Sequence, residues 1–392
     1  MQIINKEKYN YLTNLYLNDD LRKVALLKNK HNDIDFQFFI TQLGLLKKSE
    51  NKFPTFFNHR CFFTEKSYQQ ATSELLAVWK CNHFSGKTLF DLTGGLGIDD
   101  WAFSKHFEHI YSFDIDFELN KLVRENYIKL NIKNITRFDK SAEEAIDIID
   151  YCDVIYIDPD RRPISESRVH SLFHMQPDIF KIISTLEGKF DTMIIKLSPL
   201  FDVKEVFRQI PSVTKVWCLA VKNEMKEVLA IIDSKSLTKQ ILAVDLSSNY
   251  EHIYTSENVE GSSIQVYSQN EKYFYEANHS LIHCGLWKNY FHELKGNFVH
   301  EQIPYMVFEE PLYGFFGRKF KIENILDFKP KELMNYFKTN GISKANISRR
   351  NFKLNPIELY NKLKLKEGGD DYLFFVEDHY KNLKCFHCKK LE

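Results

Sequence analysis

The sequence has 392 residues and lacks an excess of charge of either sign, because 53 lysines and arginines are balanced by 53 aspartates and glutamates. Any contact with nucleic acid must therefore come from a local basic surface, since a global basic bias is absent. The sequence also lacks a run approaching the roughly 18 apolar residues of a membrane span. Its first residues, Met1–Lys6, contain no apolar stretch typical of a signal peptide. We expect a protein with no membrane partner.

Cysteines are few and do not form an obvious framework. There are seven, an odd number scattered at positions 61, 81, 152, 218, 284, 385 and 388. This pattern indicates reduced thiols in a cytoplasmic protein rather than a set of disulfides. Cys385 and Cys388 form a single C-x-x-C pair, whereas a zinc site usually needs two such pairs, so we predict no metal site. Cys152 and Cys218 lie near predicted strands without an obvious base, so a cysteine nucleophile is a minor alternative.

The chain is long enough for two or three domains with cores of their own. Apolar residues at roughly helical spacing predict an N-terminal helical region over residues 1–85. Strands alternating with helices predict an α/β domain over 86–246. Short β-like runs predict a small α+β module over 247–320, and a last module covers 321–392.

The α/β domain is the part with the clearest pattern. We expect strands at 88–91, 110–114, 134–138, 153–158, 191–197, 214–221 and 240–246. We expect helices at 118–130, 141–150, 170–186 and 223–233. This alternation is typical of a doubly wound, Rossmann-like and mostly parallel sheet, which binds ligands at the carboxyl ends of its strands.

The first informative stretch lies at the end of the first predicted strand. Asp91-Leu92-Thr93 leads into Gly94-Gly95-Leu96-Gly97, and a helical pattern follows. Glycines permit positive φ and a close approach of a ligand, and a helix N-terminus offers free N–H groups. Strand, glycine turn and helix together predict a cofactor loop, although most glycine-rich turns are only turns.

Acidic residues after the following strands strengthen this hypothesis. Asp114 ends the second strand, roughly 20 residues beyond the glycines, where an acid can bind ribose hydroxyls. Asp139 follows the third strand, where it can accept from an adenine amino group or cap a helix. Asp91 leads into the turn, and Asp100 replaces the third glycine of dehydrogenases. Acids here disfavour a pyrophosphate and tolerate a sulfonium, so the pattern favours S-adenosylmethionine over NAD.

The second informative stretch follows the fourth strand and reads Asp158-Pro159-Asp160-Arg161-Arg162. The two carboxylates can accept hydrogen bonds from a substrate amino group, and the arginines can hold a phosphate. The alternative is a turn in which these acids and arginines satisfy one another. Lys196 ends the fifth strand near the same crevice, where it could contact the substrate backbone or simply be solvated.

Two further regions are candidates for ligand contacts. Thr64-Glu65-Lys66-Ser67 offers capping residues for a helix over 68–79, whose polar residues, Ser73 among them, could face the cofactor or only solvent. Between Ser343 and Lys366 there are seven lysines and arginines but one acid. Phe352 and Tyr360 interleave with them. Such a stretch is typical of a phosphate-backbone surface, and we expect RNA contacts from Lys344, Arg349, Arg350 and Lys353. The alternative is a solvated charged face.

Taken in order, Asp91 to Asp99, Asp114, Asp139 and Asp158 to Arg161 resemble class I S-adenosylmethionine-dependent methyltransferases. The similarity is greater to a bacterial family that adds a ferredoxin-like module and a C-terminal THUMP-like domain. The segments that carry it are Gln70–Glu74, Phe316–Phe320, Ala345–Phe352 and Leu363–Leu373. The resemblance implies that 86–246 is the methyltransferase domain, 247–320 the ferredoxin-like module and 321–392 the THUMP-like domain.

The resemblance also implies an activity and a set of site residues. The residues implied to hold S-adenosylmethionine are Ser73, Asp91, Thr93, Gly94, Gly95, Gly97, Asp99, Asp114 and Asp139. The residues implied on the substrate side are Asp158, Pro159, Asp160, Arg161, Arg162 and Lys196. We expect a cytoplasmic enzyme that transfers a methyl group directly to a base atom of tRNA or rRNA.

The substrate loop departs from a common methyltransferase pattern. Enzymes that methylate amino groups often carry Asp/Asn-Pro-Pro-aromatic, whereas this chain has Asp158-Pro159-Asp160-Arg161. Because no aromatic residue stands there to stack a flipped base, a ring nitrogen or another acceptor stays open. Two alternatives remain, a methyltransferase for proteins or small molecules and a non-catalytic RNA-binding protein with this fold.

Overall fold

The computed structural model describes residues 6–31, 33–161, 172, 175–255, 266–268 and 270–391. The described residues form two compact units. The first unit is drawn from residues 1–216 and 227–239, and the second from 217–226 and 240–392. The four segments expected from the sequence are a different division, and their boundaries stay predictions.

The N-terminal region of the first unit is helical, as the sequence predicts. Its helices are α1 (Lys6–Tyr16), α2 (Leu21–Ala25), α3 (Phe36–Ser49), α4 (Pro54–Asn58), α5 (Glu65–Gln70) and α6 (Glu74–Cys81). Thr64 caps α5 in a reciprocal capping box with Ser67, which confirms that this segment supplies capping residues. The single helix predicted over 68–79 is wrong, because Ala71 is extended and α6 starts anew at Glu74.

Strands then alternate with helices along the chain. The elements from 86 to 161 are β1 (Gly86–Asp91), α7 (Ile98–Phe103), β2 (Phe107–Phe113), α8 (Phe117–Lys129), β3 (Ile135–Phe138), α9 (Ala142–Ile146), β4 (Cys152–Ile157) and β5 (Asp160–Arg161). Those from 175 to 255 are β6 (Met175–Gln176), α10 (Ile179–Thr185), β7 (Phe190–Leu197), α11 (Val203–Gln209), β8 (Lys215–Val221), β9 (Glu224–Asp233), β10 (Gln240–Leu246) and β11 (Glu251–Thr255).

The central sheet of the first unit confirms the predicted α/β class. Its strands are neighbours in the order β9-β7-β4-β1-β2-β3. β1 pairs in parallel with β2 and β4, and the parallel pairing continues from β2 to β3 and from β4 to β7. β9 pairs with β7 in the antiparallel sense. The carboxyl ends of β1, β2 and β4 therefore meet at one edge of the sheet.

The predicted helix over 223–233 is wrong, because these residues form strand β9. Lys222 and Asn223 both have positive φ, at 50° and 65°. Two consecutive residues with positive φ are typical of a two-residue hairpin turn, which returns the chain as a strand. The β-branched residues that follow, such as Val228 and Ile231, suit that strand.

The helix predicted over 170–186 is also longer than the observed one. Met175–Gln176 is a short strand paired with Asp160–Arg161, and the helix begins at Ile179. Asp178 caps this helix by accepting a hydrogen bond from the amide of Lys181 at 3.1 Å. The helix predicted over 141–150 likewise shortens to Ala142–Ile146, with Ser141 as its cap.

The second unit contains a seven-stranded sheet. Its remaining elements are β12 (Tyr273–Ala277), α12 (His279–His283), α13 (Trp287–Leu294), β13 (Asn297–Phe298), β14 (Tyr305–Phe308), β15 (Gly317–Asp327), α14 (Pro330–Thr339), β16 (Lys344–Arg350), α15 (Pro356–Leu363), β17 (Lys366–Glu377) and β18 (Leu383–Lys390). The strand order is β13-β14-β12-β15-β18-β17-β16.

Side chains on the two faces of this sheet form separate cores. Phe274, Phe374 and Phe386 pack on one face, while Phe375 and Cys385 pack with α14 and α15 on the other. The alternation of side chains along β17 and β18 produces the two cores. β15 runs across residue 320, so strands from both predicted C-terminal segments share this sheet.

The described part of the chain contains no helix that is long and apolar enough to cross a membrane. All seven cysteines lie within the described ranges, and each is a buried free thiol. Burial raises the pKa of Cys152 to about 12, which keeps this thiol protonated and unreactive near neutral pH.

Candidate active site

A cavity of about 560 Å³ lies in the first unit, at the carboxyl ends of β1, β2 and β4. The residues that line it come from α5 and the turn after it, the glycine loop, the segments after β2 and β3, and the loop after β4. Their positions are Thr64–Thr72 in part, Asp91–Asp99, Asp114–Leu119 in part, Lys140–Glu143, Tyr156, Asp158, Asp160, Gln176 and Pro177. A cavity of this size is typical of small-molecule and cofactor sites.

The glycine loop is held by backbone hydrogen bonds at its base. The amide of Gly94 donates to the carbonyl of Phe113 at 2.8 Å, which fixes the loop to the end of β2. Gly95 and Gly97 have φ values of 48° and 77°, in the left-handed region that favours glycine. The amide of Thr93 donates to Oδ1 of Asp91 at 2.8 Å.

Gly94 and Gly97 are required by packing inside the protein. A Cβ on Gly94 would lie 2.0 Å from Nη1 of Arg137, and one on Gly97 would lie 2.5 Å from the hydroxyl of Tyr127. A Cβ on Gly95 would meet no atom closer than 3.7 Å. The loop therefore packs directly against the side chains of Arg137 and Tyr127. The sequence analysis did not identify either residue as part of the site.

Arg137 is the buried support of the loop. Its guanidinium donates to the carbonyl of Gly95 and to Oγ of Ser112, both at 2.8 Å, and to Oδ1 of Asn120 at 2.6 Å. It also forms an ion pair with Asp100 at 3.2 Å. Asp100, where dehydrogenases have a third glycine, is thus the counter-ion of this arginine.

Asp114 joins the glycine loop to the cavity. Its Oδ2 accepts a hydrogen bond from the amide of Gly95 at 3.0 Å, and its Oδ1 accepts from the amide of Asp116 at 2.8 Å. Arg137 lies 3.7 Å from the same carboxylate. The neighbouring Ile115 lines the cavity with a side chain that is 77% exposed, which provides an apolar surface for a planar ligand.

Asp91 lies at the floor of the cavity and is buried. Burial raises the pKa of this carboxyl well above its usual range, and the nearby carboxylate of Asp100 raises it further. The hydrogen bond from the Thr93 amide acts in the opposite direction without reversing the shift. Asp91 is therefore biased towards its neutral form.

The loop after β4 contacts the glycine loop directly. The amide of Asp158 donates to Oγ1 of Thr93 at 2.6 Å. The side chain of Asp158 also accepts from Nζ of Lys196, the penultimate residue of the adjacent strand β7. Pro159 is buried and Asp160 is exposed towards the cavity. The structure thus brings together Asp158, Asp160 and Lys196, although Lys196 lies behind the lining.

Of the two arginines predicted in this loop, the structure describes only the backbone of Arg161. The backbone of Arg161 pairs with Met175 in the short β5–β6 ladder. Its side chain and the whole of Arg162 lie outside the described part of the structure. Their predicted contacts with phosphate stay predictions.

A buried ionic network adjoins the same loop and was not found from the sequence. Lys80 of α6 is 0% exposed and forms ion pairs with Asp99 at 2.9 Å and Glu227 at 3.1 Å. It also donates to the hydroxyl of Tyr156 at 3.0 Å. Burial opposes the charge of Lys80, but the two carboxylates raise its pKa above the usual value.

Asp99 connects this network to the cavity that it lines. Burial alone would raise the pKa of Asp99, but the ammonium groups of Lys80 and Lys196 lower it. The hydroxyl of Tyr156 donates to Asp99 at 3.2 Å. Asp99 lies at the start of α7, directly after the glycine loop, and its predicted contact with a cofactor stays a prediction. Its ionic partners could be identified only in three dimensions.

Two predicted cofactor residues lie outside the cavity lining. Ser73 precedes α6 and makes no side-chain capping hydrogen bond. Asp139 accepts from Asn120 at 2.8 Å and pairs with Arg124 at 3.0 Å. Burial alone would raise the pKa of Asp139, but these two partners lower it below its usual value. The predicted contacts of both residues with a cofactor stay predictions.

The predicted RNA-binding residues lie on and after the edge strand β16 of the second unit. Lys344, Arg349 and Lys353 are exposed, and Arg350 is half-buried. Arg349 donates to the carbonyl of Phe352 at 2.9 Å.

Phe352 and Tyr360 interleave with these cations in the sequence, but the fold gives both side chains structural contacts. Phe352 is buried in the core with α14 and α15, so it is not available to stack on a base. The hydroxyl of Tyr360 donates to the carbonyl of Ala345 at 3.0 Å, which gives this side chain a structural role. Sequence spacing alone does not separate such core aromatics from exposed ones.

Comparisons with known proteins bear on both units. Residues 317–390 match the THUMP domain-like family. A protein of Porphyromonas gingivalis W83, with a provisional assignment as a methyltransferase, is 25% identical and aligns over 100% of both chains with a TM-score of 0.85. No curated protein sequence matches the chain.

Two other solved structures align with part of the chain. A Streptococcus mutans protein, provisionally assigned as a methyltransferase and bound to SAH, is 17% identical over 40% of this chain and 95% of its own, with a TM-score of 0.30. An rRNA methylase of Streptococcus thermophilus is 13% identical over 40% and 94%, also with a TM-score of 0.30.

The full-length structural similarity and the match over residues 317–390 agree with the motifs in the sequence. The first unit has the Rossmann-like sheet of class I methyltransferases, with the cavity at the expected edge. The chain is therefore similar over its full length to a structure with a methyltransferase fold, and its residues 317–390 match the THUMP domain-like family.

Proposed function

We propose that this protein is a cytoplasmic S-adenosylmethionine-dependent methyltransferase that acts on RNA, either tRNA or rRNA, by direct methyl transfer. The observation that carries the proposal is the cavity at the carboxyl ends of β1, β2 and β4, where Asp114 is bound to the amide of Gly95. A carboxylate at this position can accept hydrogen bonds from ribose hydroxyls. The buried free thiols fit a reducing compartment.

The charges of the cavity fit this cofactor. Seven of its described lining residues are acidic: Asp91, Asp99, Asp114, Asp116, Glu143, Asp158 and Asp160. Two are lysines, Lys66 and Lys140. Asp91 is biased towards its neutral form, but the other acids still outnumber the two lysines. Such a surface disfavours a pyrophosphate and suits a ligand with a sulfonium and an ammonium group. The exposed side chain of Ile115 offers an apolar contact for an adenine ring.

In this proposal each part of the chain has a separate task. Asp91, Thr93, Gly94, Gly95 and Gly97 hold the methionine end. Asp114 binds the ribose, and Asp139 the adenine amino group, while Ser73 and Asp99 support the cofactor side. S-adenosylmethionine supplies an already activated methyl group, so the protein chiefly aligns donor and acceptor. Asp158 and Asp160 orient the acceptor, and Arg161, Arg162 and Lys196 contact the substrate.

Cofactor binding is tested by thermal unfolding. At about 100 times its Kd, S-adenosylmethionine should stabilise the protein by about 2.7 kcal/mol. Asp114→Asn should lose most of this stabilisation, because the amide is a weaker acceptor for ribose hydroxyls. Glu108→Gln is the matched control and should keep the full stabilisation, since Glu108 is an exposed acid at the opposite end of β2. A wild-type protein that is not stabilised by the cofactor would contradict the proposal.

RNA binding is tested by its salt dependence. Replacing Lys344 and Lys353 by alanine should weaken RNA binding similarly for all sequences. It should also reduce the slope of log affinity against log salt by about 1 for each phosphate contact removed. Lys331→Ala, an exposed lysine outside the basic stretch, is the control. If the slope is the same in all three proteins, these residues do not bind the RNA backbone.

The acceptor determines the final product. The sequence predicts a base atom as the acceptor, and alkaline hydrolysis of the methylated RNA distinguishes a base atom from a ribose oxygen. Label transferred to protein or to a small molecule, with none in RNA, would instead favour the corresponding alternative function.

A further inference from the structure

A lysine lies beside the acceptor side of the cavity. β4 and β7 are adjacent parallel strands with Ile157 opposite Ile195, so the residues that follow them, Asp158 and Lys196, meet at the same edge. Nζ of Lys196 donates to Oδ2 of Asp158. The side chain of Lys196 is 12% exposed, whereas that of Asp158 is 37% exposed and lines the cavity. Only the side chain of Asp158 therefore separates Nζ of Lys196 from the cavity in which the acceptor is proposed to bind.

The surroundings of Lys196 are suited to stabilise a positive charge. Asp158, Glu227 and Asp99 all act on it, and the ammonium group of Lys80 lies in the same network. Burial alone would lower the pKa of Lys196, but these three carboxylates hold it above the usual range. In the free protein Lys196 is thus an ammonium group whose charge is matched by acids from the loop after β4, from β9 and from the start of α7.

We propose, building on the proposed RNA methyltransferase function, that the acceptor is a ribose 2′-hydroxyl and that Lys196 takes its proton. In the transfer the 2′-oxygen forms a bond to the methyl carbon. The bond between that carbon and sulfur breaks, and its electron pair goes to sulfur. The hydroxyl proton passes to the neutral Nζ of Lys196, which returns it to solvent before the next turnover.

The charges of the network favour this assignment. Positive charge disappears at the donor and appears on Lys196, where Asp158, Glu227 and Asp99 are already placed to stabilise it. Lys196 must first become neutral. A cationic donor bound in the cavity adds a like charge near Lys196, and like charges lower the pKa of an ammonium group. The N1 of adenine and the N7 of guanine carry a free electron pair and no proton, so methylation at such a ring nitrogen would need no such lysine.

The walls of the cavity also favour a ribose over a base. A base in a duplex must be flipped out and stacked between aromatic or apolar side chains before it can react. Among the described lining residues the one aromatic is Tyr156, which is 1% exposed and bonded to Lys80 and Asp99. A 2′-hydroxyl is displayed on the surface of RNA and needs no such pocket. The described lining also contains no cysteine for methylation of a pyrimidine carbon.

The product can be identified by alkaline hydrolysis of RNA that has been methylated with labelled S-adenosylmethionine. A 2′-O-methyl group blocks cleavage of the next phosphodiester, so the label should appear in alkali-stable dinucleotides. Label in mononucleotides would show a base acceptor and overturn this inference, while leaving the RNA methyltransferase function intact. Absence of label from every RNA would overturn the proposed function itself.

The role of Lys196 is tested with two substitutions and a matched control. Lys196→Met and Lys196→Arg should reduce kcat by at least about 100-fold, because neither side chain can take up the proton at neutral pH. Both should keep the thermal stabilisation by cofactor. Lys235→Met, which breaks the Lys235–Asp191 pair at the opposite end of β7, should keep the wild-type kcat. A wild-type rate in Lys196→Arg would overturn the assignment.

Two further readouts separate a proton acceptor from a structural lysine. The wild-type kcat should rise with pH through the pKa of Lys196 in the complex, and the Lys196→Arg rate should not follow that curve. NMR of labelled lysine side chains should show Lys196 titrating at lower pH with S-adenosylmethionine than with S-adenosylhomocysteine, which lacks the sulfonium charge. If Lys196 has the same pKa with both ligands, the sulfonium charge does not help to deprotonate it, and the proposal is overturned.

Discussion

Replacement of Lys80 by methionine is expected to lower the free energy of unfolding by about 3–5 kcal/mol. The side chain of Lys80 is 0% exposed and pairs with Asp99 and Glu227, which are 13% and 3% exposed. Methionine fills a similar volume but leaves two carboxylates in a buried setting without their cation. Removal of one partner of a buried ionic group costs far more than the intact network contributes. Thermal or urea unfolding measures the loss.

The loss should depend on pH. In the native protein the ammonium group of Lys80 lowers the pKa of Asp99 against the effect of burial. The ionised carboxyl therefore contributes stability at neutral pH, and this contribution is lost only as the pH falls from the pKa of an unfolded aspartate through the lower pKa of the folded protein. Without the cation the buried carboxyl binds a proton more readily in the folded state. The deficit of Lys80→Met should therefore be larger at pH 8 than at pH 5.

The control for this prediction is Lys215→Met. Lys215 pairs with Asp233 at 2.9 Å, and their side chains are 31% and 21% exposed. Loss of such a partly exposed pair should cost no more than about 1 kcal/mol. If Lys80→Met is no less stable than this control, the buried network does not stabilise the fold. Lys80→Arg, which keeps the cation, should recover part of the loss.

Replacement of Arg137 by methionine should lower the free energy of unfolding by a similar amount, about 3–5 kcal/mol. The guanidinium is 1% exposed and is the cation that faces Asp100, which is 0% exposed. Its loss also removes donors to Ser112 and to the carbonyl of Gly95. Unfolding in urea, followed by far-UV circular dichroism, measures the effect.

Arg137→Met should weaken the cofactor as well as the fold. Arg137 binds the carbonyl of Gly95 and lies 3.7 Å from Asp114, so it supports both sides of the proposed ribose site. The thermal stabilisation by S-adenosylmethionine should therefore fall in addition to the intrinsic stability. Arg208→Met is the matched control, because Arg208 forms an exposed ion pair with Glu205 and should change neither quantity measurably. If both variants show the same stability and the same stabilisation by S-adenosylmethionine, Arg137 does not support the cofactor site.

The parts of the site that follow from short stretches of sequence could be predicted. The glycine loop after β1 and the acid after β2 are set by local rules for strands, turns and the edge of a parallel sheet. Asp91, Asp114 and Asp158 accordingly line one cavity. The identity of the ligand and the roles of these residues stay predictions.

The buried ionic partners could not be predicted, because they are distant in sequence. Lys80 meets Tyr156 across 76 positions, and Glu227 approaches Thr72 across 155. A single lysine in an amphipathic helix reads as a solvated residue, and only the tertiary fold encloses it. Arg137 is similar, because its position within strand β3 gives no sign that it faces the glycine loop.

The strand at 223–233 and the buried position of Phe352 both have local physical causes. Residues 223–233 contain apolar residues at spacings that suit either a helix or a strand. The turn at Lys222 and Asn223, where both residues have positive φ, makes the following segment a strand. Hairpin turns of this kind usually contain glycine, so a Lys-Asn pair only weakly indicates one in the sequence. Phe352 stands among basic residues in the sequence, but the chain turns it inwards against α15. Neighbours in sequence do not reveal which face of the chain is buried.

The most direct test of the account is a methyl-transfer assay with purified protein, labelled S-adenosylmethionine and total RNA from cells that lack this protein. RNA from cells that contain it is the control, because its acceptor sites are already methylated. We expect label in one size class of RNA from the deficient cells, little label in the control RNA, and none with the Asp114→Asn variant. A protein that binds the cofactor but labels no RNA would contradict the central claim.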